Sequence, residues 1–174
     1  MNRLILISPL IILFVICLFV LIYLVSGKNP NKPPSALLNK DTPLFKSVSL
    51  YDDNSFINNE SIKNKKVLIN FFASWCTPCK VEHPLILELA NNNPDLYILG
   101  FNHKDKKEDA KKYLKDDGDP YNFVGIDLDG LIALEFGVFG LPETFLINED
   151  GKIIYKYMGP LTEKIIKDEI ESLL

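Results

Sequence analysis

Apolar residues in this 174-residue chain fall into one long block and several short ones. The long block, Leu4 to Val25, contains no charged side chain. At about 1.5 Å of rise per residue a helix of that length spans roughly 33 Å, enough for the ~30 Å hydrocarbon layer of a bilayer. The short blocks alternate with amphipathic stretches. Val67 to Phe72 and Leu96 to Phe101 are nearly continuous apolar runs rich in strand formers, which is the pattern of strands buried on both faces. Pro43 to Leu50 alternates weakly and predicts a first strand, turned at Asp52-Asp53-Asn54; Phe123 to Asp127 predicts another. Helices are expected over Thr77 to Asn92, over Lys104 to Lys115 with a charged, solvated face, and over Leu131 to Phe136. Thr144 to Ile147 and Ile153 to Met158 flank Asn148-Glu149-Asp150-Gly151 and predict a β-hairpin with glycine at the turn. Thr162 to Leu174 predicts a closing amphipathic helix with Thr162 as its N-cap. Strands alternating with helices, then a hairpin and a helix, predict an α/β fold: a mixed-direction sheet with helices on both faces.

The long block divides the chain into three parts. Residues 1–27 read as a short cytoplasmic tip and a transmembrane signal anchor, 28–40 as a proline-bearing linker, and 41–174 as the globular domain. The competing reading is a cleaved signal peptide, with Val25-Ser26-Gly27 as a poor cleavage site. It is disfavoured because the apolar core exceeds the usual ~7–15 residues and no Ala-x-Ala follows. Either way the domain is directed across a membrane. Lys28 and Lys32 balance Arg3 and the amino terminus, so flanking charge gives little guidance on orientation. The whole chain carries a net charge of −4, and no basic patch with interleaved aromatics appears, which disfavours nucleic acid binding.

Of the 3 cysteines, Cys17 falls within the apolar block, where it reads as an inert small residue rather than a lipid attachment point. The domain keeps one pair, Cys76 and Cys79, spaced too closely to staple a fold. A redox pair remains, and its setting suits exchange chemistry. Trp75-Cys76-Thr77-Pro78-Cys79 follows a buried strand that would hold the sulfurs rigidly, and opens a helix. Unpaired N–H groups and the dipole at a helix N-terminus favour a thiolate, lowering a free-cysteine pKa of ~8.5 by one to several units.

The segment Asn70-Phe71-Phe72-Ala73-Ser74-Trp75-Cys76-Thr77-Pro78-Cys79-Lys80 resembles a thioredoxin active site throughout, with Pro84 where that family kinks its active-site helix. Gly137-Val138-Phe139-Gly140-Leu141-Pro142-Glu143-Thr144 resembles the loop that holds a cis-proline against the disulfide. The resemblance implies a thioredoxin-like fold, a cis Pro142, and a Leu141 backbone that pairs with a bound substrate chain. Within that superfamily, residues 40–174 look most like the membrane-anchored DsbE/CcmG proteins of cytochrome c maturation. Those proteins carry glutamates matching Glu82 and Glu143 beside a reducing site. Asn70 stands where cytoplasmic thioredoxins have a buried aspartate, so Glu82 becomes the candidate proton acceptor. The implied catalytic residues are Cys76, Cys79 and Glu82, with Cys79 the more buried cysteine; Trp75, Leu141, Pro142 and Glu143 would contact the substrate.

No metal or organic cofactor is implied. Zinc held by the cysteines with His83 and His103 is disfavoured, since both histidines sit among helical, charged residues without a second close pair. His83 is expected at the surface rather than as a base. A haem motif needs histidine where Lys80 stands. Trp75 is read as core packing, as a platform beside the sulfur, or as both; Glu82 has a solvated-helix alternative that the resemblance outweighs. By resemblance the partners are apocytochrome c or a maturation protein, and a transmembrane thiol reductant of the DsbD/CcdA kind. The implied place is the bacterial inner membrane, with the domain in the periplasm. A broader TlpA/ResA-like reductase and a redox-inert thioredoxin-fold binding module remain as alternatives.

Overall fold

A computed structural model describes residues 3–25 and 37–174, the first four of these by backbone alone. The chain divides into two units, Met1–Pro33 and Pro34–Leu174. The first carries helix α1, Arg3–Val25. Its segment Ile7–Val25 is long and apolar enough to cross a membrane, by length and composition. Most of the expected linker, residues 28–36, lies outside the described residues. Residues 37–40, placed in the linker on sequence grounds, instead join the domain: Asn39 N–H donates to Ile153 O at 2.8 Å and Ile153 N–H to Lys40 O at 3.0 Å.

In the second unit, among the described residues, β3 (Val67–Phe72), β4 (Tyr97–His103), β5 (Phe123–Asp127), β6 (Glu143–Ile147) and β7 (Ile153–Met158) form one sheet of order β5-β4-β3-β6-β7. β3, β4 and β5 run parallel, whereas β6 and β7 are antiparallel to their neighbours, giving the mixed direction expected. Every residue of the central β3 is buried, so its sequence could not alternate. Successive side chains on a strand face opposite sides. Val67, Ile69 and Phe71 therefore enter one cluster with Phe101, Phe136 and Phe145, covered by α4 (Leu131–Glu135). Leu68 enters another with Ile86 and Leu89 of α2 (Thr77–Asn92) and Ile166 and Ile170 of the C-terminal helix. Phe72 packs with both cysteines and with Ala110, Tyr113 and Leu114 of α3 (Lys107–Asp117).

The elements fall close to their predicted places, with instructive departures. The first strand contracts to β1 (Lys46–Val48), and a partner strand β2 (Phe56–Asn58) with a 3-10 turn over Asn59–Ile62 went unpredicted. Both strands are three residues long, too short for a periodic signal. The C-terminal helix starts as α5 (Glu163–Ile165), capped by Thr162 Oγ1, but continues as a π turn over Ile166–Ile170 and a 3-10 turn over Glu171–Leu173. The hairpin turn is as predicted, with Gly151 at φ 78°, where a side chain would be strained.

Candidate active site

β3 delivers the chain to the cysteines and α2 receives it. Cys76 caps α2: its Sγ accepts the Cys79 N–H at 3.2 Å, one of the donors left open by a helix start. The sulfurs are joined, 2.02 Å apart, with Cα atoms separated by 5.3 Å. Cys76 is 3% and Cys79 2% exposed, so the predicted difference in burial is absent in this oxidised state. The joined sulfurs pack together against Phe72 and Ala73, which shields them equally. Trp75 does not pack in the core: it is 60% exposed, and its Nε1–H donates to Lys104 O at 3.1 Å. Its ring lies at the surface, on the residue before Cys76. The preceding turn is braced by Asp105, which accepts Ser74 N–H at 2.6 Å and Ser74 Oγ–H at 2.9 Å. Asp105 carried no sequence signal, because its partner lies 31 residues away.

Glu82 follows Cys79 by one helical turn and points inward. It is 1% exposed, which removes the solvated-helix reading. Oε1 accepts from Asn70 Nδ2 at 2.9 Å, and Oε2 from Leu161 N–H at 2.7 Å. Burial pushes its pKa up to about 7, and these two donors only partly oppose that rise. Asn70 also donates to Thr144 Oγ1 at 3.1 Å and accepts the Tyr121 hydroxyl at 2.8 Å. Burial pushes the Tyr121 phenol well above its ordinary range, so it serves as a neutral donor.

Both histidines lie elsewhere than expected. His83 is buried rather than at the surface, its Nε2 donating to Gly118 O at 2.8 Å and its ring against Tyr113. α2 turns this position toward α3, a face that charge pattern could not reveal. His103 sits on strand rather than helix, because β4 extends to pair His103 with Asp127 of β5. Its Nδ1 lies 2.7 Å from Asp127 Oδ2. Among the described residues no cluster of three or more histidine, cysteine or acidic side chains is arranged to hold a metal.

The second signature loop comes to the same end of the sheet. The Leu141–Pro142 bond is cis, as the resemblance implied. Pro142 is buried and its carbonyl accepts Gly159 N–H at 2.9 Å. Leu141 is half-buried and packs against the cluster holding both cysteines. Glu143, expected to contact the substrate, is buried rather than open to solvent. It is 1% exposed and turned into its own loop, where Oε1 accepts Phe139 N–H at 2.6 Å. The carboxylate is drawn inward by Lys156, whose Nζ lies 3.0 Å from Oε2. Sequence reasoning missed Lys156, Tyr121 and Leu161. Only the lysine left a trace, as a charge within the otherwise apolar and aromatic run Ile153–Met158.

A helix-capped Cys-x-x-Cys, a cis-proline loop and a buried carboxyl one turn along are the parts of a thiol-disulfide exchange site. The family model for Redoxin matches residues 38–174. The chain belongs to the Redoxin family. It is 39% identical over 142 residues to the thiol:disulfide interchange protein CycY of Rhizobium leguminosarum, covering 82% of this chain and 76% of that one. The thiol:disulfide interchange protein DsbE of Escherichia coli K12 is 36% identical over 177 aligned residues, covering 99% of this chain and 95% of its own. A DsbF homologue from Corynebacterium diphtheriae shares the fold, with a TM-score of 0.70 at 20% identity over 84% of this chain and 94% of that one. The chain is thus a thiol-disulfide oxidoreductase of the thioredoxin superfamily, of the DsbE and CycY type.

Proposed function

We propose that this oxidoreductase works as a reductant, held in the bacterial inner membrane by α1 with its domain in the periplasm. Its client would be the oxidised haem-binding Cys-x-x-Cys of apocytochrome c, or a maturation protein that holds it. The observation that carries the reading is Glu82: a carboxyl with a pKa near 7, one turn beyond the resolving cysteine, suits the uptake and return of one proton at neutral pH.

In the reduced protein the Cys76 thiolate, favoured by the α2 N-terminus, attacks one sulfur of the client disulfide. The other client sulfur leaves as a thiolate and takes a proton. Cys79 gives its proton to Glu82 and attacks Cys76 Sγ; the Cys76–Cys79 bond forms, the mixed disulfide breaks, and the client leaves as a dithiol. Two electrons have passed from this protein to the client. Trp75 would flank the attacked sulfur, while the backbone of Leu141 beside cis-Pro142 would pair with the client chain. The disulfide seen here is the product state, and its reduction calls for a transmembrane thiol donor of the DsbD/CcdA kind.

The test is capture. Full-length chain with Cys79→Ala, expressed in a cytochrome c-producing bacterium, should accumulate a mixed disulfide through Cys76. Recovery of apocytochrome c or a haem-attachment component supports the proposal. Recovery of unrelated secreted proteins would instead make this a general reductase, and the absence of any adduct would defeat the exchange reading.

A further inference from the structure

Lys156 is out of place by its neighbours. It lies on β7 opposite Phe145, so its side chain shares the face of the sheet that holds the phenylalanine cluster. The side chain is only 5% exposed, and its ammonium sits 5.0 Å from the Phe145 ring centroid and 5.7 Å from that of Phe139. Burying an ammonium is costly unless it is paired and hydrogen-bonded. Here both conditions are met by one loop. Lys156 Nζ donates to Gly137 O at 2.7 Å and lies 3.0 Å from Glu143 Oε2. Glu143 Oε1 in turn accepts Phe139 N–H at 2.6 Å and Gly140 N–H at 3.4 Å. The ion pair therefore grips three backbone groups of residues 137–140, just before cis-Pro142. That grip leaves Phe139 standing outward, 84% exposed, two residues from Leu141.

We infer that Lys156 is a positioning residue, which with Glu143 clamps residues 137–141 so that Phe139 is presented to the apolar residues flanking a client's disulfide. The inference rests on the proposed exchange with a protein client. Phe139 stands two residues before Leu141, whose side chain packs against the cluster that holds both cysteines, so the exposed ring is carried by the loop that reaches the disulfide. A hydrophobic residue at 156 would fill the same volume at lower desolvation cost, so the ion pair is there for what it orders rather than for stability.

The test uses full-length chain in detergent, with dithiothreitol as terminal reductant and a synthetic peptide whose Cys-x-x-Cys disulfide is flanked by leucine and phenylalanine. Lys156→Met alone should lower the unfolding midpoint, because it strands the Glu143 carboxylate. Adding Glu143→Gln should recover most of that loss while leaving KM for the peptide raised about tenfold, the effect of one lost charge-assisted bond on loop order. In the same double variant, hydrogen exchange of the 137–141 amides should quicken about tenfold. Phe139→Ala should raise KM in the wild-type background and add little to the double variant, since an unclamped loop no longer presents the ring. Recovery of stability together with wild-type KM, or additive effects of Phe139→Ala and the double substitution, would overturn the inference. A wild-type protein inert toward the peptide would defeat the exchange reading, and loop exchange would then decide the clamp: quickening supports it, unchanged rates overturn it.

Discussion

Replacing Glu82 by glutamine isolates what the burial of one carboxyl does to this fold. Its pKa is about 7 in the folded protein against an ordinary 4.5, because burial outweighs the two N–H donors on its oxygens. A displacement of that size corresponds to about 3 kcal/mol between the protonation states. Below pH 4.5 the carboxyl is protonated in folded and unfolded chains alike, and the native state has its full stability with respect to this group. Between 4.5 and about 7 the unfolded chain releases the proton while the folded chain keeps it, so stability falls as pH rises. The loss is complete above about 7. Glu82→Gln has no proton to release. The stability of the variant relative to wild type should therefore improve by about 3 kcal/mol across this window. A pH-independent offset of about 1–2 kcal/mol against the variant is superimposed, because its amide nitrogen must face a donor, either Leu161 N–H or Asn70 Nδ2. The assay is urea unfolding of the oxidised full-length chain in detergent, from about pH 4 to about pH 9, read through Trp75, the single tryptophan. A difference between the two proteins that stays flat with pH would refute the reasoning, whatever its size.

Two further substitutions probe the frame around the site. Phe136 is fully buried, with ring centroids 5.4 Å from both Phe71 and Phe145, so Phe136→Ala should cost about 3–5 kcal/mol in denaturant unfolding; a cost under about 1 kcal/mol would mean that the phenylalanine cluster is not the core. Asp127 accepts Ile132 N–H at 2.9 Å and Ala133 N–H at 3.1 Å and holds His103, so Asp127→Ala should cost about 2–4 kcal/mol. Its signature is loss of hydrogen-exchange protection confined to α4 and the end of β4; uniform loss across the domain would contradict a local cap.

The apolar helix α1, β3, α2 and the final hairpin were legible in the sequence because each rests on a local rule: unbroken hydrophobicity, helical period, or glycine at a positive-φ turn. The position of the disulfide at the start of α2 was legible for the same reason, and the motif around Pro142 carried its cis bond by resemblance. What escaped was the environment of each charge. Glu82 was legible as a carboxyl near Cys79, but the burial that raises its pKa was not, nor were the donors that partly oppose the rise: Leu161, 79 residues away, and Asn70, itself held by Tyr121 at a separation of 51. Glu143 was read as facing a substrate, and Lys156, which turns it inward, gave only the hint of a charge in an apolar strand. His83 looked like a surface residue until α3 and Gly118 were seen to cover it. The sequence by itself determined which residues could carry exchange chemistry, since that follows from side-chain type and from spacing within one turn. Tertiary structure alone decided which of them are buried, paired and shifted, because desolvation and charge pairing depend on neighbours that only the folded sheet brings together.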